Sequence, residues 1–156
     1  MRGQRWPVVL GDTLAALAIV AWVGGHAALG AFAARIAFRD LPRLYAAQTM
    51  TTVFRSFDGL IAAAMVVLLA AAILRALGAG LGRRADRIAF FAALALCALG
   101  LFELSWVHPQ IQEMFDAGRT LEPQFQSMHK LSARCANVEI ALSALVLGAQ
   151  AWARRA

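Results

Sequence analysis

Four long apolar runs dominate the chain, spanning about 8–36, 52–77, 88–107 and 131–152. A helix needs about 20 mostly apolar residues to cross a bilayer, and each run reaches that length. None shows the strict alternation of a membrane barrel strand, and backbone groups in lipid must be satisfied internally, so each run predicts a spanning helix. Gly78-Ala79-Gly80-Leu81-Gly82-Arg83-Arg84 predicts a tight turn between antiparallel neighbours. Residues 37–51 form a short connector containing Asp40-Leu41-Pro42, and residues 108–130 a longer outer loop. Within that loop Pro109 can start a short helix and Gly118 can end it. Thr120 with Pro123 suggests that the fourth helix starts about two or three turns outside the membrane. The fold class is therefore all-α, an integral membrane four-helix bundle in a single domain over 1–156.

Composition agrees. The chain is 61% hydrophobic and 15% charged, with a mean hydropathy of +0.64, whereas soluble domains carry about 25% charge. The net charge of +6 sits at the ends of apolar runs and lacks the footprint of a nucleic-acid binder. Cys97 and Cys135 lie in separate apolar segments and read as small buried residues, not a disulfide. The basic N-terminus resembles a signal peptide, but Thr13 to Ala34 has no acid, Lys or Arg. Signal h-regions run only about 7–15 residues, so the expectation is a retained first helix. One side of the bundle holds Arg2, Arg5, Arg83, Arg84, Arg87, Arg154 and Arg155, and the other Arg39, Arg43, Arg119 and Lys130. The positive-inside rule then predicts both termini in the cytoplasm.

Ionisable residues inside spans usually face the bundle interior. Here His26, Arg55, Asp58, Glu103, Arg134, Asn137 and Glu139 fall in the outer third of their helices and predict one polar intramembrane cluster. Arg55 and Asp58, three residues apart, can pair on one helix face. His129, Ser132, Ala136, Glu139 and Ser143 follow helical spacing on the fourth helix, and Trp22, His26 and Gly30 on the first. Gly24, Gly25 and Ala28 would let a neighbouring helix approach closely. Each polar residue also has a plain structural role open to it: an interfacial ion pair, a snorkelling arginine, or a neutral hydrogen-bonded carboxylic acid.

Trp22-Val23-Gly24-Gly25 through Phe38-Arg39-Asp40-Leu41-Pro42 forms a tryptophan-glycine helix and Phe-Arg-x-x-Pro connector. Val53-Phe54-Arg55-Ser56-Phe57-Asp58, Trp106-Val107-His108-Pro109 with Met114, and Phe125-Gln126-Ser127-Met128-His129-Lys130-Leu131-Ser132 with Asn137 follow. In this order the motifs resemble the transmembrane protein 205-like family, a group of four-helix membrane proteins of unknown function distantly similar to copper-resistance membrane domains and to a haem-containing protoporphyrinogen oxidase. The resemblance covers most of the chain and implies the fold and a haem or metal connection, with His129, Ser132 and Asn137 as the positions that carry over. Ala33-Ala34-Arg35 departs from it, since the family often has a proline after alanine there. With the compact loops, it implies a bacterial inner membrane.

Three function classes remain. The first is a small bundle that self-associates or binds membrane partners. The second holds haem or a transition metal, with His26 and His129 as haem candidates, and His108 and His129 with Glu103 or Glu113 as metal candidates. Helix rise puts His26 about 9 Å below the outer boundary and His129 at or above it, which argues against a shared haem. The third is a proton- or cation-coupled transporter or channel using Asp58, Glu103 and Glu139. An enzyme is the least supported class, with no nucleophile elbow, phosphate loop or zinc-protease helix. The partner-binding reading predicts that purified protein is colourless and metal-free. A stoichiometric Soret band, or metal by elemental analysis, would shift the assignment to a cofactor.

Overall fold

A computed structural model describes residues 6–155. Arg2 and Arg5, which entered the topology argument, lie outside the described residues. Four helices run up and down in sequence: α1 (Trp6–Asp40), α2 (Arg43–Ala79), α3 (Arg84–Asp116) and α4 (Pro123–Arg155). All four are long and apolar enough to cross a membrane, and the described residues contain no strand. The end of the bundle that carries Trp6 and Arg155 is called here the terminal end, and the opposite one the distal end.

Each helix contains the expected apolar run and extends beyond it, because hydropathy marks only the stretch that lipid must cover. Helices of 33 to 37 residues measure about 50–55 Å against a hydrocarbon core of about 30 Å. The 37–51 connector shrinks to Leu41 and Pro42, since α2 begins at Arg43. Thr51 and Thr52 return their hydroxyls to the carbonyls of Ala47 and Gln48, at 2.9 and 3.1 Å, so polar residues prolong this helix at no cost in unmet hydrogen bonds. The separate outer helix expected from Pro109 to Gly118 is instead the last part of α3, which passes through Pro109 without a break. Pro109 stands two residues beyond a wider π-helical turn, Glu103–Val107, whose changed register accommodates a residue without an amide hydrogen. Gly118, with φ of 69°, then reverses the chain, and Pro123 opens α4.

Helix α1 packs chiefly on α2, and α3 on α4, with α2 and α3 closing the bundle. Glycine sets the first contact: a Cβ on Gly11 would lie 2.8 Å from the carbonyl oxygen of Ala71. The two backbones therefore approach as small-residue helix pairs do. Trp22, Leu68 and Leu96 fill the centre. Gly100 leaves the space the Trp22 indole occupies, a Cβ there falling 2.5 Å from two of its ring carbons. Val66, Ile73, Leu77 and Leu101 are exposed, as lipid-facing side chains of a spanning bundle must be.

At the terminal end the four helices converge on buried charge. Arg75 of α2 reaches Asp12 of α1 through one guanidinium nitrogen and Asp86 of α3, at 2.6 Å, through another. Arg154 of α4 donates to the second oxygen of Asp12 at 2.8 Å. Asp12, Arg75 and Asp86 are buried. Breaking a buried ion pair strands the remaining charge at a cost of about 3–5 kcal/mol. Arg75→Met, which strands Asp86 and leaves Asp12 with Arg154 alone, is expected to lower stability by about that much, read as a lower midpoint of thermal unfolding in detergent. An unchanged midpoint would remove the clasp from any role in holding the helices together.

Candidate functional site

One heptad or more above the central core, each helix presents polar groups to the interior. On α1 a π-helical turn, Val20–Gly24, precedes His26, and a second, Leu29–Ala33, follows it. On α3 the π-helical turn Glu103–Val107 begins at the buried glutamate itself. Such turns carry one extra residue and rotate everything beyond them, and they occur frequently at functional sites.

His26 faces α4, where its Nδ1 stands 3.3 Å from Oε2 of Glu139. The pair is close but misaligned, and neither Glu139 oxygen has a hydrogen-bond partner. Glu139 is 1% exposed. The Trp22 indole nitrogen and the Ser143 hydroxyl are also buried and unpartnered. Trp22 and His26 are one turn apart on α1, as Glu139 and Ser143 are on α4. Polar groups of α1 and α4 therefore lie buried here without hydrogen-bond partners, although buried polar groups are normally bonded. The His26 ring is packed on Phe57 at a centroid distance of 5.0 Å.

Glu103 of α3 is 2% exposed, accepts a hydrogen bond from Ser132 of α4 at 3.2 Å, and has the Glu139 carboxyl as its neighbour. His108 lies one turn further out. Its Nε2 is 3.9 Å from Glu103, and its Nδ1 is 2.7 Å from Asp58 of α2. Gln112 holds the other Asp58 oxygen at 3.3 Å. The Asp58 side chain is 24% exposed. The series Asp58, His108, Glu103, Glu139, His26 thus crosses the bundle, with Asp58 and His26 partly exposed, at 24% and 19%, and Glu103 and Glu139 buried between them.

Several expected members stand elsewhere. Arg55 does not pair with Asp58 on its own helix; it crosses to Asp116 of α3 at the exposed rim. The long extension of α3 brings Asp116 and His108 within reach, and these partners outcompete the local pair. Arg134 and Asn137 are exposed on α4 and make no side-chain hydrogen bond among the described residues. At 100° per residue they stand about 140° and 160° round the helix from Glu139. His129 is exposed and packs edge-on against Phe125, with centroids 4.6 Å apart. It precedes Glu139 by ten residues, about 15 Å of helix, while His26 is at Glu139 itself, so the two histidines cannot flank one haem iron. Among the described residues no three His, Cys, Asp or Glu are grouped so as to hold a metal ion. Both cysteines are free thiols.

Residues 17–120 match the model of a family described as a domain of unknown function, DUF4149. The chain belongs to this family. No curated protein and no solved structure matches it. The matched segment of this DUF4149 protein includes His26, Asp58, Glu103 and His108 but stops short of α4. Glu139, Ser143 and Ser132 thus come from the part of the chain beyond the family match.

The unmet hydrogen bonds give a stability test. A buried polar group left without partners costs about 1–3 kcal/mol. Glu139→Met, of similar volume, is expected to raise stability by an amount in that range, measured by thermal unfolding in detergent. Arg134→Ala and Asn137→Ala should change it by no more than about 0.5 kcal/mol. A destabilised Glu139→Met variant would show that the carboxyl is a bonded structural element after all.

Proposed function

We propose that this DUF4149 protein takes up protons into its membrane interior, through a relay running from Asp58 by way of His108 and Glu103 to Glu139. One observation supports this above the rest: His108 stands between two carboxyls, with one ring nitrogen toward each. Imidazole can accept a proton on the nitrogen facing Asp58 and release the other from the nitrogen facing Glu103, so charge moves inward while the ring is restored by tautomer exchange. Intramembrane carboxylates are the usual carriers in proton-coupled membrane proteins. Glu139, with both oxygens free, is the terminal acceptor, and His26 is the group that answers its charge.

Self-association or partner binding, the first expectation from the sequence, is motivated by the small residues of α1. Gly25 is taken up within the chain, where a Cβ would fall 2.4 Å from the Phe57 ring. For the metal reading, the described residues show no group of three His, Cys, Asp or Glu. The narrower transmembrane protein 205-like resemblance, a bacterial inner membrane and cytoplasmic termini complete the proposed setting, the last on the basic residues of the terminal end.

Infrared difference spectra between acid and alkaline pH test the relay. The wild-type protein should show a protonated carboxyl band that Glu139→Gln removes, and His108→Phe should slow its appearance after a pH jump. Identical spectra for wild type and Glu139→Gln would discard the assignment.

A further inference from the structure

Polar groups occupy two levels of the bundle, and every helix contributes to both. The distal level is built from His26 of α1, Asp58 of α2, Glu103 and His108 of α3, and Glu139, Ser132 and Ser143 of α4, bordered by the buried Cys135. The terminal level is Asp12, Arg75, Asp86 and Arg154, with Gln150 beside it. Counted along each helix, the partners Asp12 and His26, Asp58 and Arg75, Asp86 and Glu103, and Glu139 and Arg154 are fourteen to seventeen residues apart. The levels are therefore about 21–26 Å apart.

Between them lies one apolar side chain from each helix: Ile19, Leu68, Leu96 and Val146. Leu68 and Leu96 are 0% exposed and Val146 1%. All four belong to a single core cluster. Each stands seven to ten residues from the ionisable groups above and below it in its own helix, which is about 10–15 Å; on α4 the uncharged Ser143 and Gln150 are nearer to Val146, three and four residues away. Apolar cavities stay dry, and apolar constrictions close pores by dewetting. Among the described residues the one titratable side chain at this height is the Cys97 thiol beside Leu96, which donates to the Met65 carbonyl at 3.7 Å. At its far side a proton would meet Arg75, a fixed positive charge already shared between two carboxylates.

We propose that Ile19, Leu68, Leu96 and Val146 form a seal that makes the relay a blind one, loaded and emptied from the distal end only. The inference rests on the relay reading and specifies its access: the protein binds protons from one compartment without passing them to the other. A proton entering from water at Asp58 moves through His108 and Glu103 to Glu139, and leaves by the same groups in reverse. Such a site reports the pH of one face to the helices that surround it. A proton arriving at Glu139 changes the group that faces His26 of α1 at 3.3 Å.

The test uses the full chain in vesicles, oriented through an affinity tag at the C-terminus, with separate pH control of the two faces. The Glu139-dependent infrared carboxyl band should respond to a pH step on the distal face and remain unchanged after one on the terminal face. Potential-driven proton flux through the wild-type protein should equal that of protein-free vesicles. A band that responds to the terminal face, or flux above background that Glu139→Gln abolishes, would overturn the seal while leaving the relay intact. A band that responds to neither face would overturn the relay, and the seal with it.

Discussion

Charge inside a lipid-solvated bundle must be answered by charge, and Arg75 is where the structure meets that constraint most completely. Its guanidinium joins a carboxylate from α1 to one from α3, and Arg154 brings in α4 through the spare oxygen of Asp12. In a membrane the apolar surfaces of helices have no hydrophobic reason to prefer each other over lipid tails, so specific contacts must select the partner and its height. A four-helix ionic junction selects both. Once the terminal ends are aligned, the close α1–α2 approach at Gly11 and the seating of Trp22 over Gly100 follow at fixed levels. The distal polar groups are then brought face to face.

The two polar levels obey opposite rules. At the terminal end nearly every buried oxygen and nitrogen is bonded, and the charges balance. At the distal end the carboxyls outnumber the cations that reach them, and Trp22, Glu139 and Ser143 hold unmet groups. Natural proteins give up stability where function demands it. The contrast within one small bundle separates a level built to hold from a level built to respond.

Much of the fold was legible because hydropathy is a strong signal in membrane proteins: lipid dictates both the helix and its minimum length. Helix ends were less legible, since threonines bonded to their own backbone let α2 begin well before its apolar run. Depth along the sequence groups Glu103 and Glu139 with Arg134 and Asn137, but depth ignores direction round the helix: the two glutamates are buried and the other two side chains are exposed. Asp12 and Arg75 were overlooked because each lies near the end of an apolar run, where a charge reads as interfacial. The signal that could have found them was present: Asp12, Arg75, Asp86 and Arg154 share one level with opposite signs on successive helices. Local spacing also misled at Arg55, since an i, i+3 neighbour says nothing of partners on other helices.

The π-helical turns have a consequence for the chain's length. Each holds one residue more than an α-helix of the same rise, so the direction in which His26 points depends on the number of residues in Val20–Gly24 as well as on their identity. Removing any one of the five would let the turn relax to an ordinary helix and swing the following segment by about 100°, carrying the imidazole away from α4 toward lipid. Glu103 begins such a turn, and His108 follows it by one residue. Members of the family would then tolerate exchange of side chains within these short stretches far more readily than a gain or loss of a single residue. Alignments that place gaps there would separate bundles with a convergent interior from bundles without one.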